Sequence, residues 1–135
     1  MTESRSQHHT HTQTHVQTCN EVVRVGRVSA EPERRELPSG DLLVTLCVVV
    51  DRPPRKGVRR KAPGVAKRSV DVIDVACWTR RTQRTAEGLT AEDGVRVEGA
   101  LRRRFFAAGG GRASRYEVEA ARLVRVSRQG SRAEG

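Results

Sequence analysis

The stretch SVDVIDVACWTRRTQRTAEGL, residues 69–89, predicts a β-strand that runs directly into a short helix. Strand alternation over residues 69–79 divides the side chains between two faces. The core face is predicted to carry Ile73, Val75 and Cys77, and the outer face Val72, Asp74, Ala76 and Trp78. The second half, RRTQRTAEGL, predicts a helical turn that ends at Gly88, because glycine commonly terminates helices.

Four more Val-rich runs on either side of this unit predict further strands. They are residues 21–30, 42–50, 94–105 and 115–126. The run LLVTLCVVV at 42–50 is apolar on both faces, so we expect it to be covered by the core on one side and by subunit packing on the other. In the first run Gly26 is a candidate β-bulge. In the run at 94–105, Val95, Val97 and Leu101 are expected to point inward.

The segments between these runs predict turns, loops and loose ends. Proline and glycine mark a turn at 31–41 and a long loop at 51–69, and AAGGGRAS at 107–114 predicts a flexible hairpin tip. Residues 1–19 are Thr, Gln, Ser and His with a single Val, so they are expected to form a disordered arm. Residues 20–127 form the folded domain, and residues 128–135 a flexible C-terminus.

Five strands with one short helix between the third and the fourth are the parts of a small closed barrel. We therefore predict an all-β fold, and within it a five-stranded Greek-key barrel of the OB-fold type. The strand count supports the small all-β barrel more strongly than it supports the OB-fold topology. The 135 residues leave room for one domain, and the apolar runs are shorter than a membrane span.

The charge balance favours a polyanionic partner. The chain has 26 Lys+Arg against 16 Asp+Glu, a formal net charge of +10. Nucleic acid is the first candidate for such a partner, and an anionic membrane surface the second. Eight basic residues and one acid lie within residues 51–69, so this one loop carries most of the excess.

Residues that could support catalysis or hold a metal are poorly placed. Asp71 and Asp74 are three apart in a strand, on opposite faces, so they cannot share an ion. All four histidines lie in the N-terminal arm, where the Thr content disfavours the helix that would bring His11, His15 and Cys19 together. The three cysteines have no zinc-knuckle spacing and are expected to be reduced thiols. We expect no enzyme, no metal and no cofactor.

Five segments in order resemble the bacterial single-stranded DNA-binding proteins, the SSB family, over about Asn20 to Val126. They are N-E-V-V-R-V-G-R-V at 20–28, E-P-E-R-R-E-L-P-S-G at 31–40, D-V-I-D-V-A-C-W-T-R-R-T-Q-R-T-A at 71–86, V-R-V-E-G-A-L-R-R-R at 95–104 and R-Y-E-V-E at 115–119. The resemblance implies an OB-fold that binds single strands without sequence preference, as a homo-oligomer, usually a tetramer. It also implies roles in DNA replication, repair or recombination, and a cytoplasmic, nucleoid-associated location.

The resemblance places base-stacking aromatics at Trp78 and Phe106. Two further stacking positions of the family correspond here to Pro54 and Val72, so we expect binding to depend more on charge. Phe105 points away from Phe106 if the strand is extended, and Tyr116 is assigned to packing. The predicted nucleic-acid contacts are Trp78, Phe106, Arg102, Arg104, Arg80, Arg52, Arg55, Lys56, Arg59, Arg60, Lys61, Lys67 and Arg68.

Two readings stay open beside DNA binding. One is an OB-fold module for oligomerisation or interaction that has lost DNA binding, and the other is an RNA-binding paralogue, since stacking tolerates either sugar. The family also usually ends in an acidic tip that recruits other proteins. The sequence stops at Gly135 without one, so recruitment by that route is not expected.

Overall fold

The computed structural model describes residues 15–53 and 69–128, which contain six strands and one helix. The elements are β1 (Val22–Val28), β2 (Glu33–Glu36), β3 (Leu42–Asp51), β4 (Val70–Cys77), α1 (Arg80–Glu87), β5 (Gly94–Ala108) and β6 (Gly111–Ser127). The predicted disordered arm lies mostly outside the described residues, as do most of the predicted loop at 51–69 and of the C-terminus. Within the described part no helix is long and apolar enough to cross a membrane.

Five of the strands close into a barrel. Its order is β1-β5-β6-β4-β3, and β3 returns to pair with β1 at Arg27↔Val49 and Val28↔Val48. All neighbours are antiparallel except β4 and β6, which run parallel and pair at Val75↔Val118. The helix α1 lies between β4 and β5 in the chain. The predicted OB-fold class is confirmed.

Gly26 permits this closure and is not a bulge, as the sequence had suggested. It pairs in register with Val95 of β5, at the point where β1 approaches β3. A Cβ atom at Gly26 would lie 2.2 Å from the carbonyl oxygen of Val49, a distance that real side chains do not reach. The described register shifts lie instead in the β5–β6 pairing, at Gly94/Val95 and Glu98/Gly99. The glycine is therefore required for close backbone approach.

The core is built from residues of every barrel strand. Val75 and Cys77 are fully buried, and Ile73 packs against the same cluster, which confirms the predicted core face of β4. On β3 the core residues are Val44, Leu46 and Val48. The second face of β3 carries Leu43 and Val49, and both are buried within the single chain. Burial of that face thus does not require another subunit.

The helix ties the ends of two strands together. Thr79 is its N-cap and accepts a hydrogen bond from the backbone N–H of Thr82, and Gly88 is the C-cap, as predicted. The side chain of Gln83 is buried, and its Nε2 donates to the carbonyls of Leu42 and Cys77 at 2.8 and 3.0 Å. These bonds fix the backbone on both sides of residue 78.

Two segments are more regular than the sequence predicts. Residues 33–36 form the strand β2, which pairs with Leu42–Thr45 of β3, where a turn had been expected. Its four side chains are charged and exposed, so it is held by backbone hydrogen bonds and offers no hydrophobic pattern. The predicted tip at 107–114 shrinks to Gly109 and Gly110, which both have positive φ, and the strands continue to either side.

The extended β5–β6 hairpin projects from the barrel as a two-stranded ribbon, residues 100–117. Pairing with β1 ends at Gly99, and pairing with β4 begins at Val118. For this reason the prediction that Leu101 points into the core is wrong: it is 45% exposed, beyond the last strand that could cover it. Tyr116, which was assigned to packing, lies on the same ribbon and is 57% exposed, so it does not pack in the core.

Candidate nucleic-acid interface

A groove of about 600 Å³ crosses the outer face of the barrel, between β2 and β3 on one side and the ribbon on the other. Residues from the loop after β1, from β2, β3 and β4, and from both strands of the ribbon line it. They are Ser29, Ala30, Glu31, Glu33, Arg35, Leu43, Thr45, Leu46, Cys47, Asp74, Val75, Arg104, Phe106, Arg115 and Glu117.

Strand register explains how these side chains meet. Asp74 lies opposite Cys47 on β3, and Ala76 lies beside Glu119 on β6, so these four residues share the outer face. On the ribbon, Arg102 is opposite Glu117 and Arg104 is opposite Arg115. Because side chains alternate along a strand, Arg102, Arg104 and Phe106 occupy one face, which we call the front face of the ribbon. This arrangement of the three residues was predicted.

The arginines of the groove are held loosely by carboxylates. Arg104 and Arg115 face each other directly, a pairing of like charges that is unfavourable by itself. Each has an acidic neighbour: Arg104 Nη1 is 3.7 Å from Glu117 Oε1, and Arg115 Nη1 is 3.9 Å from Asp74 Oδ2. Both distances are too long for hydrogen bonds. The exposed Arg115–Asp74 pair contributes about 0–1 kcal/mol, so the Arg115 guanidinium can readily take another anionic partner. Glu117 is buried, so separating Arg104 from it would leave a buried carboxylate without that partner.

Charge in the groove is close to balanced. Its lining has four carboxylates, on Glu31, Glu33, Asp74 and Glu117, against three arginines, Arg35, Arg104 and Arg115. Outside the lining, Arg102 is hydrogen-bonded to Glu119 at 2.8 Å. The described groove is therefore not the strongly cationic surface that the net charge of the chain suggests.

Phe106 provides an accessible aromatic ring in the groove. It is 41% exposed, and the guanidinium carbon of Arg115 lies 5.8 Å from the centre of its ring. This distance is within the range of a cation–π contact. The ring is thus in contact with an arginine of the neighbouring strand β6, while much of its surface stays exposed to solvent.

Trp78 lies beyond the end of β4, outside the groove lining. It is 38% exposed and is not sealed in the core. Its backbone is confined between Cys77, whose carbonyl accepts from Gln83, and Thr79, which caps α1. Arg80 follows in the first turn of the helix and is exposed. No carboxylate among the described residues forms an ion pair with Arg80.

Arg52 is placed apart from the other predicted contacts that the structure describes. Its Nη2 donates to Asp71 Oδ1 at 2.7 Å, and this hydrogen bond lowers the pKa of the Asp71 carboxyl. Asp71 is thereby engaged at one face of β4, and Asp74 contacts Cys47 and Arg115 at the other. Among the described residues no group of three His, Cys, Asp or Glu side chains could hold a metal ion.

Seven predicted contacts cannot be placed. They lie outside the described residues and are Arg55, Lys56, Arg59, Arg60, Lys61, Lys67 and Arg68.

Cys47 brings a thiol into the groove. Its Sγ donates to Asp74 Oδ1 at 3.2 Å. Burial, then the hydrogen bond and the negative charge of Asp74, raise the pKa of the Cys47 thiol. Burial raises the pKa of Cys77, inside the core, to about 11. Both thiols are therefore protonated and weakly nucleophilic at neutral pH.

Sequence reasoning missed several residues of the groove, chiefly Arg35, Cys47, Arg115 and Glu117. Arg115 and Glu117 could have been found by pairing residues outward from a two-residue turn at Gly109–Gly110, which sets Arg115 opposite Arg104. Arg35 lies in a run of charged residues whose sequence did not predict the strand β2. Cys47 was assigned to a buried strand without regard to which face it occupies.

Comparison with known proteins agrees with this architecture. Residues 19–126 match the profile of the Single-strand binding protein family, and the chain belongs to that family. Among solved structures, the Plasmodium falciparum SSB in complex with ssDNA is similar in fold, with a TM-score of 0.67 and 17% sequence identity. The alignment covers 84% of this chain and 99% of the other. No curated protein is similar enough to this chain to count as a match.

Proposed function

We propose that this protein binds single-stranded DNA without sequence preference, by base stacking and phosphate neutralisation, and has no catalytic activity. The observation that carries the proposal is the open groove on the outer face of an SSB-family barrel, with the ring of Phe106 beside loosely paired arginines. Unpaired bases expose π-faces that stack on such rings, whatever the sequence.

Stacking is assigned to Trp78 and Phe106, with Arg102, Arg104 and Arg80 as the nearby phosphate contacts. Arg104 Nη1 lies 3.7 Å from the buried carboxylate of Glu117, too far for a hydrogen bond, so this guanidinium can bind a phosphate without breaking one. Since the groove itself is nearly balanced in charge, the remaining attraction is assigned to the basic residues of 52–68, whose side chains are cationic at neutral pH.

We further propose that the protein acts as a homo-oligomer, with a tetramer favoured over a dimer, in the cytoplasm and on nucleoid DNA. The oligomer is supported by exposed apolar side chains on the outer surface of β1 and β6, away from the groove: Val23, Val25 and Val126. Replication, repair or recombination would supply the single strands.

Fluorescence titration of the single tryptophan tests the binding function. We expect oligothymidine to quench Trp78 and to bind more tightly than duplex DNA of equal length, at two salt concentrations. Duplex binding of equal strength would indicate a general polyanion binder. An absence of binding to either would favour the interaction module, and tighter binding of oligouridine would favour the RNA-binding reading.

Alkylation of Cys47 tests whether DNA occupies this groove. Because the raised pKa reduces the thiolate fraction at neutral pH, iodoacetamide should label Cys47 slowly, and faster as the pH rises. Saturating oligothymidine should slow labelling of Cys47 further, as measured by mass spectrometry of its peptide. Cys77 is the control, since it should react only when the protein unfolds. Equal labelling of Cys47 with and without DNA would place the strand elsewhere.

A further inference from the structure

The ribbon carries a second row of aromatic and cationic groups on the face turned away from the groove. Phe105 is 62% exposed and Tyr116 57% exposed, and both belong to this reverse face. Between them lies Arg103, whose guanidinium carbon is 5.1 Å from the centre of the Phe105 ring and 5.4 Å from that of Tyr116. We call these three residues the reverse strip.

The reverse strip is ordered by its own contacts. Arg103 Nε and Nη2 both donate to Ser114 Oγ, at 3.2 and 3.1 Å, and this holds the guanidinium between the two rings. At the base of the ribbon, Asn20 pairs with the backbone of Leu101 through two hydrogen bonds of 2.9 Å. The ring–cation–ring row is therefore positioned before any partner arrives.

Charge distinguishes the reverse strip from the front face. On the front face Arg102, Arg104 and Arg115 each have a carboxylate within 4 Å. No carboxylate among residues 15–53 and 69–128 lies within that distance of the Arg103 guanidinium. Its positive charge is thus uncompensated, between two rings that contribute little to the core. An anionic partner with flat apolar rings fits this combination.

We propose that the reverse strip is a second binding surface for single-stranded nucleic acid, which a strand reaches after it leaves the groove. The proposal rests on the proposed function and extends it. Bases stack on aromatic rings and on arginine guanidinium planes, and a phosphate supplies the charge that Arg103 lacks. To reach the reverse strip from the groove, the nucleic acid has to pass around a ribbon of only two β-strands, which lie about 4.8 Å apart.

A second copy of the chain fits the strip less well. A two-fold contact sets the same patch of both copies against each other. If the two-fold axis passes through the strip, two uncompensated Arg103 side chains meet across the contact, which is unfavourable unless an anion lies between them.

Oligonucleotide length separates the two surfaces. We compare an oligothymidine of about 8 nucleotides, within the ~4–16 that one OB-fold covers, with one of about 35. The double variant Phe105→Ala, Tyr116→Ala should bind the short oligomer like the wild type. It should bind the long oligomer about tenfold or more weakly, the loss expected for missing stacking platforms, and occlude fewer nucleotides per chain. Phe106→Ala, the matched change on the front face, should weaken both.

Three results for the double variant would contradict the proposed role of the reverse strip. They are unchanged binding of the long oligomer, an equal loss of affinity for both oligomers, and a change in the oligomeric mass of the protein by analytical ultracentrifugation. Failure of the wild type to bind either oligomer would instead remove the proposed function and the strip together. Photocrosslinking of the wild type with a long oligomer containing 5-iodouracil gives a readout without mutation. Crosslinks at Tyr116 support the strip, and crosslinks at Phe106 alone contradict it.

Discussion

Replacing Trp78 with alanine is expected to weaken the binding of oligothymidine by about 1–3 kcal/mol, the contribution of one aromatic platform to stacking. The dissociation constant should rise roughly 5- to 150-fold. The indole is partly exposed at the end of β4, while hydrogen bonds from Gln83 and the Thr79 cap fix the backbone beside it. The backbone that carries the ring is therefore ordered before a base arrives.

Binding of Trp78→Ala is best measured by fluorescence anisotropy of a labelled oligomer, because the variant has no tryptophan. Trp78→Phe is the matched control: it keeps a ring and should retain most of the affinity. Circular dichroism should show that both variants stay folded, since Trp78 is outside the core cluster. If Trp78→Ala binds as tightly as the wild type, the stacking role of this residue is excluded.

Neutralising five residues of the basic loop is expected to flatten the dependence of binding on salt. The variant replaces Arg55, Lys56, Arg59, Arg60 and Lys61 with glutamine. Each phosphate contact contributes about 0.7 to the slope of log K against log salt for single strands, so five contacts contribute about 3.5. The effect should be large because the groove lining carries four carboxylates against three arginines and so supplies little net attraction.

A control with the same change in net charge separates contact from general attraction. It replaces five exposed arginines that do not line the groove, namely Arg27, Arg34, Arg84, Arg96 and Arg122. This control should keep the wild-type slope, although its affinity at low salt will fall somewhat through the weaker overall field. If the slope of log K against log salt falls by the same amount in both variants, the loop acts only through its overall charge and does not contact the phosphates.

The barrel was predictable where alternation is strong. The strand Val70–Cys77 and the helix Arg80–Glu87 lie within the predicted 69–89, and Ile73, Val75 and Cys77 form the predicted core face. Ala76, which was predicted on the outer face, is buried as well. The strand β2 was not predictable in this way, since its four charged residues are all exposed. The pairing of β1 with β3 that closes the barrel was not predictable either. It consists of only two residue pairs beside Gly26, which is too short to produce a pattern in the sequence of either strand.

The sequence predicts which side chains of one strand share a face, but it does not predict which residues of neighbouring strands lie beside them. Alternation alone sets Arg102, Arg104 and Phe106 on one face. The partners of these residues come from β6, and their positions depend on a turn of two glycines where the sequence suggests a longer flexible tip. The balance of charge was missed for the same reason: counting basic residues in a segment does not show that Asp74 and Glu117 lie beside the arginines.

The acidic neighbours of the groove arginines have a consequence for how long a strand stays. When a phosphate departs, Arg115 can return to Asp74 and Arg104 to Glu117, so no cation is left bare. Because Glu117 is buried, its carboxylate loses a partner when Arg104 moves to a phosphate, and release of the phosphate restores that pair. Dwell time should be governed by the rings and the basic loop, and one strand should be able to replace another by rapid, stepwise exchange.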